Sequence, residues 1–476
     1  MKKNDWLLLS ATALYSFLFY QQTAGINYLI FSSFLVLLLG LQANKTTRRH
    51  PAWVLTAAAS LLTGFQVAFI NTGLAVGANI VSLILLAGFS LNPHTSLYIA
   101  AINTLYTSST SFFLLTLKKA GLSQKHQQQT QLQFANLSPG IAFIGIPLLF
   151  FVLFLFLYRS ASPAFSHLIG LIDLSFISWY WIWFTFAGYW LLTGIFRPLQ
   201  LLPLTQLDLA TGNALIRRRQ YFSAPPKKLA LKQEYRTCYL LLVLLNGLLL
   251  VFNLSDSYYL TIGTLPADIP YSAYLHQGVN TLIFSILLAI GILLYVFRGN
   301  LNFISTHQPL KVLAYLWLAQ NLILVLLTLS KTTIYVQDFG LTYKRIGVYT
   351  YLLLTAAGLV TSLIKIRQTK NKWYLFRKNT WAIYLVLVLS SCFNWDHLIT
   401  YYNLTHARSP DLSYLVHLSD SSLPELFAHI HSDQHVFNGA QKQLIEERRH
   451  RFLQQAPQQG WPSWNYNDWR LEQALR

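Results

Sequence analysis

The residues best suited to acid–base or anion-binding chemistry fall in two stretches of the second half of the chain. One runs Asn253-Leu254-Ser255-Asp256, then Pro266-Ala267-Asp268-Ile269-Pro270-Tyr271-Ser272, and closes on His276-Gln277-Gly278; the other runs from Tyr335 to Arg345. Both read as loops on one outer face. Brought together there, Asp256, Asp268, His276, Asp338, Lys344 and Arg345 would supply carboxylates, a titratable imidazole and cations able to grip an anion. The competing account is structural: Lys344 and Arg345 pair with Asp338 or with carboxylates of the C-terminal tail and pin that tail down. A second set is uncharged. Asn246, Asn280, Gln320 and Asn321, like Asn79, sit inside long apolar runs. Amides in hydrocarbon need partners, and most join helices through hydrogen bonds of about 0.6 kcal/mol each. Gln320 and Asn321 stand apart, because neighbouring helical residues project about 100° from one another and both avoid lipid only beside a polar cavity.

The sequence contains no P-loop, GxSxG elbow, HExxH or GxGxxG, so nucleotide-driven transport and familiar hydrolase chemistry have no support. Carboxylates are nearly absent from the apolar runs, which argues against a carboxylate relay; Asp173, at the edge of one run, reads as a helix cap. Cys238 and Cys392, both within apolar runs, read as small packed hydrophobes rather than a disulfide or a zinc site. His429, His431 and His435 alternate along the tail, but 13 histidines make such clustering ordinary. Neither a metal site nor a cofactor is expected.

What must position these residues is a set of helices in lipid. The chain is 54% hydrophobic yet carries a formal charge of +19, and its charges collect between apolar runs of membrane-spanning length. That pattern predicts an all-α, polytopic integral membrane bundle of about eleven transmembrane helices: 6–20, 25–43, 51–70, 73–91, 139–158, 174–196, 237–253, 277–297, 312–332, 346–364 and 378–395. The stretch 95–117 is interrupted by Asn103, Thr104, Thr107, Ser108, Ser109, Thr110 and Ser111 and reads as an amphipathic helix lying at the interface. With the N-terminus cytoplasmic, 24 basic residues of the membrane portion fall inside; only Arg159, Lys331, Lys344 and Arg345 fall outside. Such asymmetry is the positive-inside pattern, and a twelfth span at 95–117 would strand half of the basic loops. The cytoplasmic loop 197–236 holds Arg217, Arg218 and Arg219, suited to anionic lipid heads. Basic residues at segment ends, rather than on one solvated face, argue against nucleic acid.

Residues 1–395 thus form the transmembrane domain. Residues 396–476 carry seven basic and nine acidic side chains and form a small helical extracytoplasmic tail, with helices opening at Asp411 and Asp420 and a charged helix from Gln441 to Leu453. The host is read as a bacterium, which places the protein in the inner membrane.

Several short motifs of the second half form an ordered series: His276-Gln277-Gly278, Phe339-Gly340-Leu341-Thr342-Tyr343-Lys344-Arg345, Tyr402-Asn403-Leu404, Asp411-Leu412-Ser413-Tyr414-Leu415 and Leu423-Pro424-Glu425-Leu426. The series resembles a bacterial family of multi-spanning membrane proteins described as domain of unknown function 4173, with a sister family numbered 4153. The likeness covers roughly residues 140–470. The usual pattern has Tyr where this chain has Phe339, so a hydroxyl is not needed there. The resemblance implies an integral membrane protein and carries over no catalytic residue. The expected role is non-enzymatic, with an extracytoplasmic face that senses, binds or scaffolds envelope components. The alternatives are a carrier or flippase with a polar cavity between spans seven and ten, and a membrane-embedded enzyme acting on a lipid-linked substrate through His276 and Lys344 or Arg345.

Overall fold

Apolar runs about 20 residues long, broken by Gly, Pro, Asn and short basic turns, leave the backbone one way to satisfy its polar groups, and the described parts of these runs are helical in the computed structural model. The structure describes residues 3–119, 150–151, 154, 157–158, 160–162, 178–198, 201–215, 228–262, 279–297, 300–303, 308–431, 437–455 and 460–476. Asp173, Arg217, Arg218, Arg219, Asp268, His276, His435 and the Asn280 side chain lie outside this set.

The helices are α1 (Lys3–Phe19), α2 (Ile26–Gln42), α3 (Lys45–Arg49), α4 (Pro51–Phe69), α5 (Gly73–Leu91), α6 (Leu97–Lys119), α7 (Trp179–Phe196), α8 (Leu202–Ala210), α9 (Lys228–Ile262), α10 (Val279–Val296), α11 (Gln308–Phe339), α12 (Tyr343–Arg367) and α13 (Lys372–Ser390). The tail adds α14 (Trp395–Thr405), α15 (Leu412–Val416), α16 (Leu423–Ile430), α17 (Gly439–Gln455) and α18 (Tyr466–Leu475). Among the described residues, five helices are long and apolar enough to cross a membrane: α4, α5, Lys232–Ile262 within α9, α11 and α12; α13 and α14, bent by 67° at their break, would make a sixth. Eleven were expected from sequence. The shortfall has identifiable sources: α1, α2 and α10 are apolar but short, α7 is rich in Trp, Tyr and Phe rather than aliphatic residues, and the run 139–158 falls largely outside the described residues.

Two bundles result. The first packs α1, α2, α4, α5, α6, α7 and α13 around buried residues such as Leu35, Leu86, Phe89 and Phe196. Its helices approach closely through small residues. A Cβ on Gly88 would collide with the Ala100 carbonyl, one on Gly194 with the Ser108 backbone, and one on Gly188 with the Tyr15 ring. At its centre Asn79, fully buried, donates to Ser32 Oγ (2.9 Å), the Ser60 carbonyl (2.9 Å) and Thr63 Oγ1 (3.1 Å), joining α2, α4 and α5. The second bundle packs α9, α10, α11 and α12 around Leu242, Ile286, Leu293, Phe297, Leu310 and Leu359.

The end of the bundles carrying Asp5, Arg48, Arg49, Arg197, Arg367 and Arg377 is here called the basic end; the opposite end carries the tail. Arg197 pairs with Asp5 while Tyr20 Oη lies 2.6 Å from Ser178 Oγ, so α7 returns antiparallel to α1. Helix α6 differs from the interfacial helix expected at 95–117. It leaves the basic end between α5 and α7, where Thr104 Oγ1 donates to the Ile84 carbonyl (2.8 Å), Trp190 Nε1 donates to the Ser109 carbonyl (3.2 Å), and the Phe112 and Phe186 rings meet edge to face at 5.4 Å. Its polar row, Asn103, Thr104, Thr107 and Ser111, is buried in the bundle instead of facing water, and Lys118 and Lys119 are carried away from the basic end.

The bundles are tied together at both ends. At the basic end, Asp208 of α8 accepts from the Ser96 backbone N–H (2.7 Å) and Ser96 Oγ (2.5 Å), and pairs with Arg377 of α13 at 2.9 Å. An isolated bridge between Ala214 and Lys370 fixes the α12–α13 turn beside it. At the other end, the tail folds around Ile399, Leu415, Leu423, Ile445 and Leu471, with Leu341 and Ile346 of the α11–α12 corner packed against this core. The same tail reaches the first bundle: Ser463 Oγ accepts from Thr23 N–H (2.9 Å), the Trp464 carbonyl accepts from Ile26 N–H (2.8 Å), and Tyr466 stacks on Phe69 at 4.4 Å.

Candidate functional site

Helices α9 and α11 run in the same direction and share a seam with heptad spacing. On α9 the seam positions are Leu242, Asn246, Leu249, Asn253 and Asp256; on α11 they are Leu310, Ala314, Trp317, Asn321, Leu324, Thr328 and Lys331. Steps of four and three keep one stripe facing a partner helix, and polar residues within such a stripe select its register. The contacts show that register. Asn246 Nδ2 donates to its own helix at the Leu242 carbonyl (2.7 Å) and across the seam to the Leu313 carbonyl (3.1 Å). Gln320 Nε2 donates to Asn246 Oδ1 (3.0 Å), and Asn253 Nδ2 donates to the Gln320 carbonyl (3.0 Å). One turn nearer the tail, Lys331 Nζ donates to Asp256 Oδ1 in an ion pair whose partners are both under 10% exposed.

Asp256 therefore does not belong to an outer loop: α9 continues to Ile262 and holds its carboxylate inside the second bundle. Among the four amides proposed to line a cavity, Asn246 and Gln320 touch; Asn321 is buried and donates to the Trp317 carbonyl of its own helix (2.7 Å). Their neighbour Asn253, read from sequence as the start of a loop, is a full member of the seam. Asn253 Oδ1 and Gln320 Oε1 are buried and accept no hydrogen bond among the described residues. A cavity of about 380 Å³ lies elsewhere, in the first bundle, lined by Leu39, Gln42, Ser90, Leu91, Ile195 and Phe196, so the polar seam does not form it.

Among the described residues, the other outer-face candidates, Asp338, Lys344 and Arg345, sit at the α11–α12 corner. Gly340 ends α11 in the left-handed region, φ +79°, with its N–H on the Val336 carbonyl (2.8 Å), the usual stop for a helix C-terminus. Arg345 closes that end: its guanidinium donates to the Phe339 carbonyl (2.7 Å) and to the Gly340 carbonyl, and it lies 4.4 Å from the Tyr335 ring centroid. Asp338 pairs with Arg408 of the tail at 3.1 Å. The corner and the tail are further joined by Asn403, which accepts from Leu341 N–H (2.5 Å) and donates to the Leu341 carbonyl (2.9 Å). Lys344 is exposed. Among the described residues no three His, Cys, Asp or Glu side chains gather closely enough to hold a metal.

Sequence reading passed over Asp208. Burial alone would raise its carboxyl pKa, but hydrogen bonds from the Ser96 side chain and backbone, together with the Arg377 guanidinium, outweigh that and hold it below the usual carboxylate range. Arg377 also donates to Ser96 Oγ (2.8 Å), Asn213 Oδ1 (2.8 Å) and the Asp208 carbonyl (2.6 Å). This cluster is fully engaged within the protein and works as a clamp between α6, α8 and α13.

No curated protein and no solved structure matches the chain. A family match does: residues 7–428, which take in both bundles and the tail as far as α16, fit the family described as Domain of unknown function (DUF4153). Of the two related families that the motifs resemble, the sister family is the one matched, and the match begins in α1, well before the motifs. The chain, an all-helical protein with several helices long and apolar enough to cross a membrane, belongs to the DUF4153 family.

Proposed function

We propose that the chain is a multi-pass protein of a bacterial inner membrane, N-terminus in the cytoplasm and tail outside, whose tail is a non-enzymatic platform for sensing or assembling envelope components. One observation supports this above others: the tail is folded and fastened to both bundles, through Asp338–Arg408 and Asn403 on one side and Ser463 and Trp464 on the other. A segment held that firmly presents a fixed surface. In this reading the basic end faces the cytoplasm, as the charge asymmetry favours, and α6 joins the spans. The lipid bilayer is the main partner, with Arg217, Arg218 and Arg219 reaching anionic heads and no role for nucleic acid.

The polar seam supports a second reading, a carrier, because ionisable side chains inside a membrane bundle commonly mark ion or substrate paths. The enzyme reading has less to rest on, since the Arg345 guanidinium that would grip a phosphate is engaged by two main-chain carbonyls. The test is sidedness. In a chain with Cys238 and Cys392 changed to Ser, a single cysteine replacing exposed Gln455 is expected to react with an impermeant maleimide in intact spheroplasts. Reaction only after permeabilisation would put the tail inside and end the platform reading.

A further inference from the structure

The last segment of the tail turns the usual arrangement of a protein surface inside out. Along Trp461-Pro462-Ser463-Trp464-Asn465-Tyr466-Asn467-Asp468-Trp469, the small polar residues Ser463, Asn465 and Asn467 are buried, while Trp461, Trp464 and Trp469 stand out at 57%, 45% and 47% exposure. The inward polar groups have partners: Ser463 Oγ donates to Gln22 Oε1 (2.9 Å), and Asn467 Nδ2 donates to Ser421 Oγ (3.1 Å). Three indoles turned outward so close together make a surface ill suited to water. The first bundle sets their depth. Tyr466 stacks on Phe69 at the end of α4 (4.4 Å), Phe69 stacks on Phe65 (5.5 Å), and Trp469 lies 5.7 Å from Tyr466. These rings form one ladder, rising from exposed Phe side chains on a helix apolar enough to span a membrane to the exposed Trp469. A shorter ladder pairs exposed Phe17 of α1 with Trp461 at 5.9 Å. In both, Phe gives way to Tyr and Trp, the order in which hydrocarbon gives way to headgroups. Helix α7 opens at the same end with Trp179, Tyr180 and Trp183, all exposed.

We propose that the segment Trp461–Trp469 is a docking surface for phospholipid, seated in the headgroup region of the leaflet on the tail's side. The occupant follows from continuity: the ladders join this surface to the faces of α1 and α4 that their exposed Phe side chains give to lipid. An indole suits that layer, with its apolar body against the upper acyl chains and its N–H donating to phosphate or ester oxygens. Arg470, exposed beside Trp469, supplies a cation for the phosphates. The buried face of the same segment joins the tail core through Leu471 and Leu475. One short stretch thus ties the folded tail to the membrane surface. The inference goes beyond the platform reading and holds whichever side of the membrane the tail occupies.

The experiment measures depth in the full chain, with Cys238 and Cys392 changed to Ser, reconstituted into vesicles of phosphatidylcholine and phosphatidylglycerol. Single cysteines replace Trp464, Gln473, Gln455 or Leu62 and carry a fluorescent label. Gln473 is exposed and follows Trp469 by one helical turn, so its replacement samples the same face without removing an indole. Labels at Trp464 and Gln473 should lose most of their emission to lipids bearing a nitroxide at the headgroup and less to lipids bearing one at mid-chain. The label at Gln455, on another face of the tail, should respond to aqueous iodide alone. Leu62, exposed on α4 two turns below Phe69, should respond to the mid-chain nitroxide; its failure to do so would count against α4 as a span. If Trp464→Cys does not fold, Gln473→Cys decides. Quenching of the tail labels by iodide as complete as at Gln455, with none from lipid, would put the aromatic face in water and overturn the proposal. Shielding from both quenchers would mean that a second copy of the chain covers the face, which overturns it equally.

Discussion

The two bundles solve the same problem with different materials. In the first, helices meet backbone to backbone: Gly88, Gly188 and Gly194 leave no room even for a methyl group, and the buried polar atoms of Asn79 all find partners within α2, α4 and α5. In the second, Gly247, Gly291 and Gly347 lie on the outer surface, where a Cβ would meet nothing within 4 Å, while an ion pair and two amide oxygens that accept no hydrogen bond among the described residues sit in the α9–α11 seam. Lipid supplies no hydrophobic drive between helices, so close packing and hydrogen bonds decide how firmly they hold. The first bundle is built to stay as it is. The second places polar side chains in the α9–α11 seam.

Three substitutions or conditions separate these characters. The largest effect is expected from Gly88→Leu, whose side chain must push α6 off α5; a loss of about 4 kcal/mol or more should show as failure to recover folded protein by size-exclusion chromatography. Normal recovery would mean that the first bundle is not closely packed. A smaller effect is expected from acid. The Asp208 carboxyl is held below its unfolded value, so its contribution is present above about pH 4 and is lost as pH falls through the lowered folded pKa. Hydrogen exchange should then show amides of α8 and of Ser96–Tyr98 losing protection before those of α4 and α5; simultaneous loss would show that the clamp is not a separate joint. The smallest change is Gly247→Ala, expected to raise stability by about 0.8 kcal/mol through helix propensity alone. A destabilisation by that variant would reveal packing that the open space around Gly247 does not suggest.

Most helices were legible in the sequence because an apolar run between turn residues has few alternatives in lipid, and α2, α4, α5 and α10 start and stop within two residues of the expected limits. The errors share a cause. A row of Asn, Thr and Ser looks the same whether it faces water or a neighbouring helix, and in α6 it faces α5 and α8. Asn253 and Asp256 resembled the opening of a loop, although their heptad spacing with Asn246 was already a sign of a continuing helix. Lys331 stood out only as a basic residue on the wrong side; its partner was hidden because pairing between α9 and α11 spans 75 positions of sequence. Asp208 gave no signal, since a carboxylate in a short helix of a basic loop reads as ordinary surface. Arg345 was singled out for its charge and is used for its fork of donors.

The contact between the first turn and the last helices bears on how the molecule is made. Thr23 N–H waits for Ser463, a partner 440 residues downstream, and Ile26 N–H waits for Trp464. At roughly 5 to 20 residues per second, synthesis separates these groups by roughly 20 to 90 s. Throughout that interval the α1–α2 hairpin must persist with its outer turn incomplete. Completion of the earliest hairpin therefore waits on synthesis through residue 464, and a nascent protein cut short before residue 463 would carry an open turn.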